Sequence, residues 1–117
     1  VFHHSCGNIF EIIPDMIEIG LDVLAPIQPE AMDINKLAKC FSKDLSFFGG
    51  ISTQKTLPLK TSQEVKNEII DRIRVLSKEG GYIIAPSHEI TSDCKRENFL
   101  TLLDTFRDYK ENKIKII

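Results

Sequence analysis

Residues 1–8 read VFHHSCGN, an apolar start that turns polar just before a helical pattern begins. This order is typical of a short β-strand whose carboxyl end opens into a loop. His4 and Cys6 stand two residues apart, so on extended backbone their side chains lie on the same face. Imidazole and thiolate are a pair of ligands that suits zinc, although one His-x-Cys pair is less specific than a repeated Cys-x-x-Cys pair. The segment therefore predicts a strand end that carries ligand-binding groups.

The order of strand, polar exit and helix recurs three more times along the chain. Buried strands are predicted over 21–27, 45–48 and 82–86, and each is followed by polar residues and then by apolar residues at helical spacing. Strands that alternate with helices indicate an α/β fold with a parallel sheet and right-handed crossovers. Four such (β/α) units are half of a (β/α)₈, or TIM, barrel; the alternative is a small open α/β sheet.

Helix boundaries and buried faces also follow from the pattern. The first helix is predicted to begin at Asn8 or near Pro14, the second at Asp33, and the third at a capping box from Thr61 to Glu64. Cys40 is interpreted as a small buried residue of the second helix. The charged side of the third helix is interpreted as a solvated surface: Lys66, Glu68, Asp71, Arg72 and Lys78. The buried stripe of the last helix is predicted to be Phe99, Leu102, Leu103, Phe106 and Tyr109.

Size and composition limit the classes of protein that fit. The 117 residues suffice for one domain over 1–117, in which the tail 111–117 fits either a frayed helix end or a short strand. Apolar residues make up 42% and charged residues 27%, and the net charge of −2 is spread along the chain, so we expect neither nucleic acid nor a membrane as partner. Three widely spaced cysteines favour reduced thiols and a cytoplasmic location. Because the chain starts inside an apparent strand without Met, we expect a piece of a longer protein.

Chemistry in a parallel α/β fold collects at the carboxyl ends of the strands. Here those ends carry His4 and Cys6, and His88 follows the fourth strand, so these three are the candidate metal ligands. A catalytic zinc takes three protein ligands and keeps one position open. Cys94 is a rival third ligand in the loop beyond the fourth strand. Other polar residues at or near the ends are candidates for substrate binding, namely Asn8, Gln28 and Gln54, or for acid–base roles, namely Glu89 and Glu97.

Several segments, taken in order, resemble the C-terminal part of the uroporphyrinogen decarboxylase superfamily, which includes the corrinoid-linked methyltransferases. The similarity extends to about Tyr109 and rests on HSCGN at 4–8, IGLDVLAPIQP at 19–29, FGGISTQ at 48–54, GGYIIAPSH at 80–88 and REN at 96–98. Because the family fold is a (β/α)₈ barrel, the resemblance implies that this chain forms the last four βα units. It also implies an enzyme that acts on a small-molecule substrate.

Two branches of the superfamily imply different chemistry. The methyltransferase branch uses the His-x-Cys pair and a further Cys on the last strand to bind zinc, which carries over to His4, Cys6 and, with a departure from Cys, His88. True decarboxylases lack the pair and carry a Gly-Leu-Asp-Trp-like segment where this chain has LAPIQ at 24–28 and no Trp. The resemblance therefore favours zinc-dependent methyl transfer from a corrinoid on a partner protein to a thiol, with Cys6 and His88 as catalytic residues.

The decarboxylase branch has an active-site His at the position of His88. The first alternative is therefore decarboxylation of a porphyrinogen-like acid without a cofactor, as in porphyrin biosynthesis. The second alternative is an inactive half barrel that serves as an interaction module. A half barrel leaves two sheet edges unpaired and an apolar interior exposed, so an isolated chain of this length is predicted to form a homodimer that closes the barrel, or to aggregate.

Overall fold

A computed structural model describes residues 1–116 and contains one four-stranded parallel sheet. The strands are β1 (Phe2–His4), β2 (Val23–Ile27), β3 (Ser46–Ile51) and β4 (Tyr82–Pro86). The helices are α1 (Ile13–Glu18), α2 (Ile34–Phe41), α3 (Thr56–Leu59), α4 (Ser62–Leu76) and α5 (Arg96–Lys110), and a 3-10 turn over Phe10–Ile12 precedes α1. The strands lie in the order β1-β2-β3-β4, and every pair is parallel. The predicted α/β class with successive βα units is confirmed.

The first helix begins at the later of its two predicted starts. Pro14 lies in the first turn of α1, where its missing amide hydrogen costs no helical bond. Asn8 instead lies before the 3-10 turn, where its Oδ1 accepts a hydrogen bond from the Phe10 amide at 3.1 Å. Ile13 is buried, whereas Ile12, directly before the helix, is exposed. Gly20, with φ of 103°, follows the helix in the left-handed conformation.

The second helix starts as predicted, but one residue on it lies elsewhere than expected. Asp33 accepts a hydrogen bond from the Lys36 amide at 2.8 Å and so caps α2. The buried face of α2 consists of Ile34, Leu37 and Phe41. The interpretation of Cys40 as buried is wrong, because its side chain is exposed. At 100° per residue, Cys40 is about a quarter turn from the centre of the buried face.

The third strand is longer than predicted, because it continues through two glycines. The sequence indicated an end at Phe48, but β3 runs to Ile51, which is fully buried. Gly49 and Gly50 have φ of 115° and 91°, values that glycine adopts without strain. A side chain at Gly49 would place its Cβ 2.8 Å from the Ile27 backbone nitrogen. Glycine therefore lets β2 and β3 approach closely near the carboxyl end of the sheet.

The charged side of α4 is only partly a solvated surface, so that interpretation is wrong at two residues. Glu68 accepts a hydrogen bond from the Ser52 amide at 2.8 Å and another from the Thr56 hydroxyl. Arg72 donates from Nε to the Gly50 carbonyl oxygen at 2.9 Å. Side-chain exposure is 13% for Glu68 and 17% for Arg72. These two charged residues tie α4 to the end of β3, and the capping box at Thr61 is present as predicted.

The predicted buried stripe of the last helix is confirmed at Leu102, which is buried, and at Phe106, which packs against the apolar residues of α4, but it is wrong at the other three residues. Asn98, Leu102 and Thr105 are its buried residues, whereas Phe99, Leu103 and Tyr109 are exposed. Asn98 donates from Nδ2 to the carbonyl oxygens of Leu57 at 2.9 Å and Lys60 at 2.8 Å, at the end of α3. These two bonds help to set the rotation of α5, and Phe99 and Leu103 remain on its exposed side.

Helices cover one face of the sheet and form two apolar clusters there. The first lies around Phe47, Leu24 and α2, and the second lies between α4 and α5. The tail forms a turn after α5, in which the Lys113 amide donates to the Asp108 carbonyl oxygen at 2.8 Å, and Ile116 packs against the second cluster. Of the predicted tail 111–117, residue 117 lies outside the described residues.

Across residues 1–116, no helix combines the length and the apolar character needed to cross a lipid bilayer.

Candidate active site

His4 and Cys6, two of the three predicted zinc ligands, lie next to each other at the carboxyl end of β1. His4 Nε2 is 3.6 Å from Cys6 Sγ, and both side chains are exposed to solvent. Strand β1 holds His4, while the left-handed Gly7, with φ of 84°, turns the chain directly after Cys6. The predicted pairing of this imidazole and thiol on one face is therefore present in the structure.

The distance between these two donor atoms fits a zinc ion. With Zn–S of about 2.3 Å, Zn–N of about 2.05 Å and a tetrahedral angle, a sulfur and a nitrogen ligand lie about 3.5 Å apart. His4 Nε2 and Cys6 Sγ are 3.6 Å apart, close to the separation expected of two ligands of one zinc ion. The described residues nevertheless hold no group of three His, Cys, Asp or Glu side chains already close enough to bind a metal.

The carboxyl ends of the strands form the mouth of the sheet. His88, two residues after β4, lies on the side of the mouth opposite to His4 and Cys6. It lines a depression of about 450 Å³ together with His4 and Phe48, and an adjoining depression of about 270 Å³ together with Cys6. The structure thus brings all three predicted ligands to one surface, with His4 and Cys6 in contact. A third ligand at His88 requires its side chain to move toward the other two.

Two of the three predicted substrate-binding residues line the depression that Cys6 and His88 also line. Gln28 and Gln54 line the smaller depression, and Gln28 Oε1 accepts a hydrogen bond from the Gly7 amide at 3.1 Å. This bond fixes the loop that presents Cys6, so Gln28 supports the thiol as well as facing the depression. Asn8 lines a separate groove beside α2, and its role in substrate binding stays a prediction.

Some lining residues were not singled out from the sequence. Thr53 and Ser87 face the smaller depression, and their hydroxyl oxygens are 3.4 Å apart, which links the exits of β3 and β4. Phe48 forms part of the floor of the larger depression. Strand alternation could have identified Phe48, because Phe47 is buried under the helices and the next side chain points to the opposite face.

The remaining candidates separate into residues inside and outside the mouth. Glu89 lines both depressions. Cys94 packs against the second apolar cluster, and burial, followed by the nearby charge of Asp93, raises the pKa of its thiol. Cys94 is not among the residues that line either depression, so its role as a third ligand stays a prediction. Glu97 lies in the first turn of α5, where a carboxylate interacts favourably with the helix dipole.

A four-stranded parallel sheet built from successive βα units, with His4 and Cys6 at the carboxyl end of its first strand, is an α/β fold consistent with part of a (β/α)₈ barrel. The chain belongs to the uroporphyrinogen decarboxylase (URO-D) family, whose model matches residues 1–109. Its fold is similar to that of a methyltransferase from Methanosarcina mazei, with a TM-score of 0.69 and 23% sequence identity. That likeness covers 92% of this chain but 30% of the methyltransferase chain, as half of a barrel or less would. No curated protein matches this sequence.

Proposed function

We propose that this chain carries the thiol-activating site of a zinc-dependent methyltransferase of the uroporphyrinogen decarboxylase superfamily. The observation that supports the proposal is the spacing of 3.6 Å between His4 Nε2 and Cys6 Sγ at the mouth of the sheet. The methyltransferase from Methanosarcina mazei with the same fold is consistent with it. The acceptor would be a small thiol, and the methyl donor would be a corrinoid presented by a separate protein.

Each residue at the mouth has a stated part in the proposed reaction. His4, Cys6 and His88 would hold the zinc, whose Lewis acidity lowers the pKa of a thiol acceptor so that thiolate exists at neutral pH. Gln28 holds the Gly7 loop and thereby the direction of the Cys6 thiol. Gln54 lines the adjoining depression and would bind the polar end of the acceptor. Phe48 lines the larger depression and would supply an apolar wall that limits water near the sulfur of the acceptor thiol.

Zinc content tests the proposal without a need for the complete reaction. We expect one zinc per chain after dialysis against a zinc buffer, and we expect Cys6→Ala to lose most of it. Cys40→Ala is the matched control, because Cys40 is an exposed cysteine on α2, away from the mouth. Elemental analysis measures the stoichiometry, and X-ray absorption of the bound zinc should report sulfur and nitrogen ligands. Absence of zinc from both the original chain and Cys40→Ala would contradict the proposal.

His88 decides whether the site has a third protein ligand. We expect His88→Ala to bind zinc more weakly than the original chain, because alanine supplies no ligand atom. We expect His88→Cys to retain zinc, because a cysteine thiolate is itself a zinc ligand. Competition with a chromophoric chelator measures the affinities. Equal affinity in all three chains would show that His88 is not a ligand. His4 and Cys6 would then be the only protein ligands that the proposal retains.

Decarboxylation is the second candidate, because the family to which the chain belongs is named for uroporphyrinogen decarboxylase. In this case His88 would bind a substrate carboxylate and zinc would play no part. Carbon dioxide release from uroporphyrinogen, unaffected by Cys6→Ala and abolished by His88→Ala, would support this candidate over methyl transfer.

A further inference from the structure

The carboxyl ends of helices α2 and α4 enclose a depression of about 550 Å³. These two helices pack against each other and follow the central strands β2 and β3. Each helix of a βα unit runs back against its strand, so α2 and α4 end beside the end of the sheet opposite to the mouth. The depression is therefore separate from the mouth, and it involves neither an edge of the sheet nor the face that the helices leave uncovered.

Four cationic side chains line this depression, two from each wall. They are Lys39 and Lys43 at the end of α2, and Arg74 and Lys78 at the end of α4. Arg74 pairs with Asp71, whereas the three lysines form no ion pair within residues 1–116. A cleft lined by charges of one sign raises the local concentration of counter-ions, so the depression favours an anion.

Negative groups at the depression offset part of this positive charge. Glu79 is the one carboxylate among its lining residues. The carboxyl ends of α2 and α4 each carry about half a negative charge, and lysines near a helix end stabilise that end. Positive charge alone therefore does not distinguish a binding site from ordinary helix capping.

Ser42 adds a feature that helix capping does not explain. It lines the depression, it is only 4% exposed, and its hydroxyl oxygen has no hydrogen-bond partner within residues 1–116. A buried polar group without a partner costs free energy, and the great majority of such groups in folded proteins are satisfied by protein, water or ligand. The Ser42 hydroxyl can donate to an oxygen of an anion that the lysines attract.

We propose that the depression between α2 and α4 binds the phosphate group of a small organic phosphate ester. Such a group carries about −1.5 to −2 charges at pH 7 and three acceptor oxygens, which suits several cations and a hydroxyl better than a single carboxylate does. Ala38 and Val75, which pack against the first apolar cluster, supply an apolar wall for the organic part. A volume of about 550 Å³ is that of a small-molecule site rather than of a single ion. The proposal does not depend on zinc or on the proposed methyl transfer.

A titration followed by the NMR shifts of backbone amides is the first test. The full chain is titrated with phenyl phosphate, inorganic phosphate and sodium chloride at equal ionic strength, with EDTA present to remove metal from the mouth. We expect phenyl phosphate to give saturable shifts at Ser42, Lys43 and Lys78, at least severalfold tighter than inorganic phosphate, and chloride to give none. Equal affinity for the two phosphates would overturn the assignment to an ester. Shifts confined to the mouth, or equally large with chloride, would overturn the site.

The buried hydroxyl provides the second test. We expect Ser42→Ala to bind phenyl phosphate about tenfold more weakly, because the variant loses a hydrogen bond to a charged group. The urea midpoint without ligand should stay the same or rise, because the variant also removes a buried polar atom that has no partner in the chain. A hydroxyl with only a structural role would instead lower the midpoint and leave the affinity unchanged, and that result would contradict the proposal.

The lysines provide the third test. A double variant, Lys39→Gln with Lys78→Gln, removes one exposed charge from each wall and should weaken the binding of phenyl phosphate by about tenfold. Lys66→Gln is the matched control, because Lys66 lies on α4 but not among the residues that line the depression, and its effect should stay below about twofold. An equal loss of affinity in the double variant and in Lys66→Gln would show general attraction to the protein surface and would contradict the site.

Discussion

The two faces of the sheet differ although the same strands build both of them. On the helix-covered face, Phe47 is completely buried among apolar side chains of α2 and β2. On the open face, the neighbouring residue Phe48 is half-buried and lines a depression with His4 and His88. The comparison indicates that the covered face supplies most of the stability of a single chain. The open face is therefore the one where the proposed ligand site lies.

The largest expected effect comes from removing a ring on the covered face. Phe47→Ala should cost about 3–5 kcal/mol in free energy of unfolding, because a large cavity forms where nothing can collapse into it. Phe48→Ala is the matched variant on the open face and should cost about half as much or less, since that ring is already partly in water. Urea unfolding at a protein concentration that no longer affects the midpoint measures both. Equal losses would contradict the distinction between the faces.

A smaller loss of stability is expected when the polar contacts between α4 and the end of β3 are removed. Glu68→Ala should cost about 1–3 kcal/mol, because it leaves the buried amide of Ser52 and the hydroxyl of Thr56 without an acceptor. Arg74→Ala is the control on the same helix, where an exposed ion pair with Asp71 is expected to contribute less than about 1 kcal/mol. If Glu68→Ala loses no more free energy of unfolding than Arg74→Ala, the charged side of α4 is only a solvated surface, as the sequence predicted.

Local signals in the sequence were sufficient to predict the four strands, the four longer helices and their order, but not the short α3. The strand 82–86, the capping box at Thr61 and the cap at Asp33 are where the sequence predicts them. Each depends on a few neighbouring residues, whose preferences hold in almost any surroundings. The parallel order followed from the alternation of strands with helices, because short crossovers allow few topologies.

The rotation of helices about their axes could not be predicted in the same way. On α5, bonds from Asn98 to the carbonyl groups of Leu57 and Lys60 prevail over an apolar stripe. On α4, Glu68 turns inward because Ser52 and Thr56 offer it donors. Such contacts join residues far apart in sequence, and no local pattern records them.

The candidate site was predictable to the level of the strand ends but no further. Spacing placed His4 and Cys6 on one face, and the structure brings them to 3.6 Å. The position of His88 on the far side of the same mouth depends on the curvature of the whole sheet. Sequence patterns do not fix that curvature, so the third ligand stays a prediction.

The smallest expected effect lies at the exposed start of α4, far from either face of the sheet. A hydrogen bond from the Thr61 amide to Glu64, and then one from the Thr61 hydroxyl, lower the pKa of the Glu64 carboxyl. Because the folded pKa is below the unfolded one, the stability that this carboxylate contributes is complete above about pH 5 and is lost as the pH falls through the folded pKa. Thr61→Ala keeps the amide bond and removes the hydroxyl bond, so NMR titration should find the Glu64 pKa raised but still below its ordinary value. A full return to that value would show that the hydroxyl, rather than the backbone amide, is the main cause. The urea midpoint of Glu64→Gln should differ from that of the original chain above about pH 5 and approach it as the pH falls through the folded pKa of Glu64, whereas a pH-independent difference would exclude a contribution from the charge.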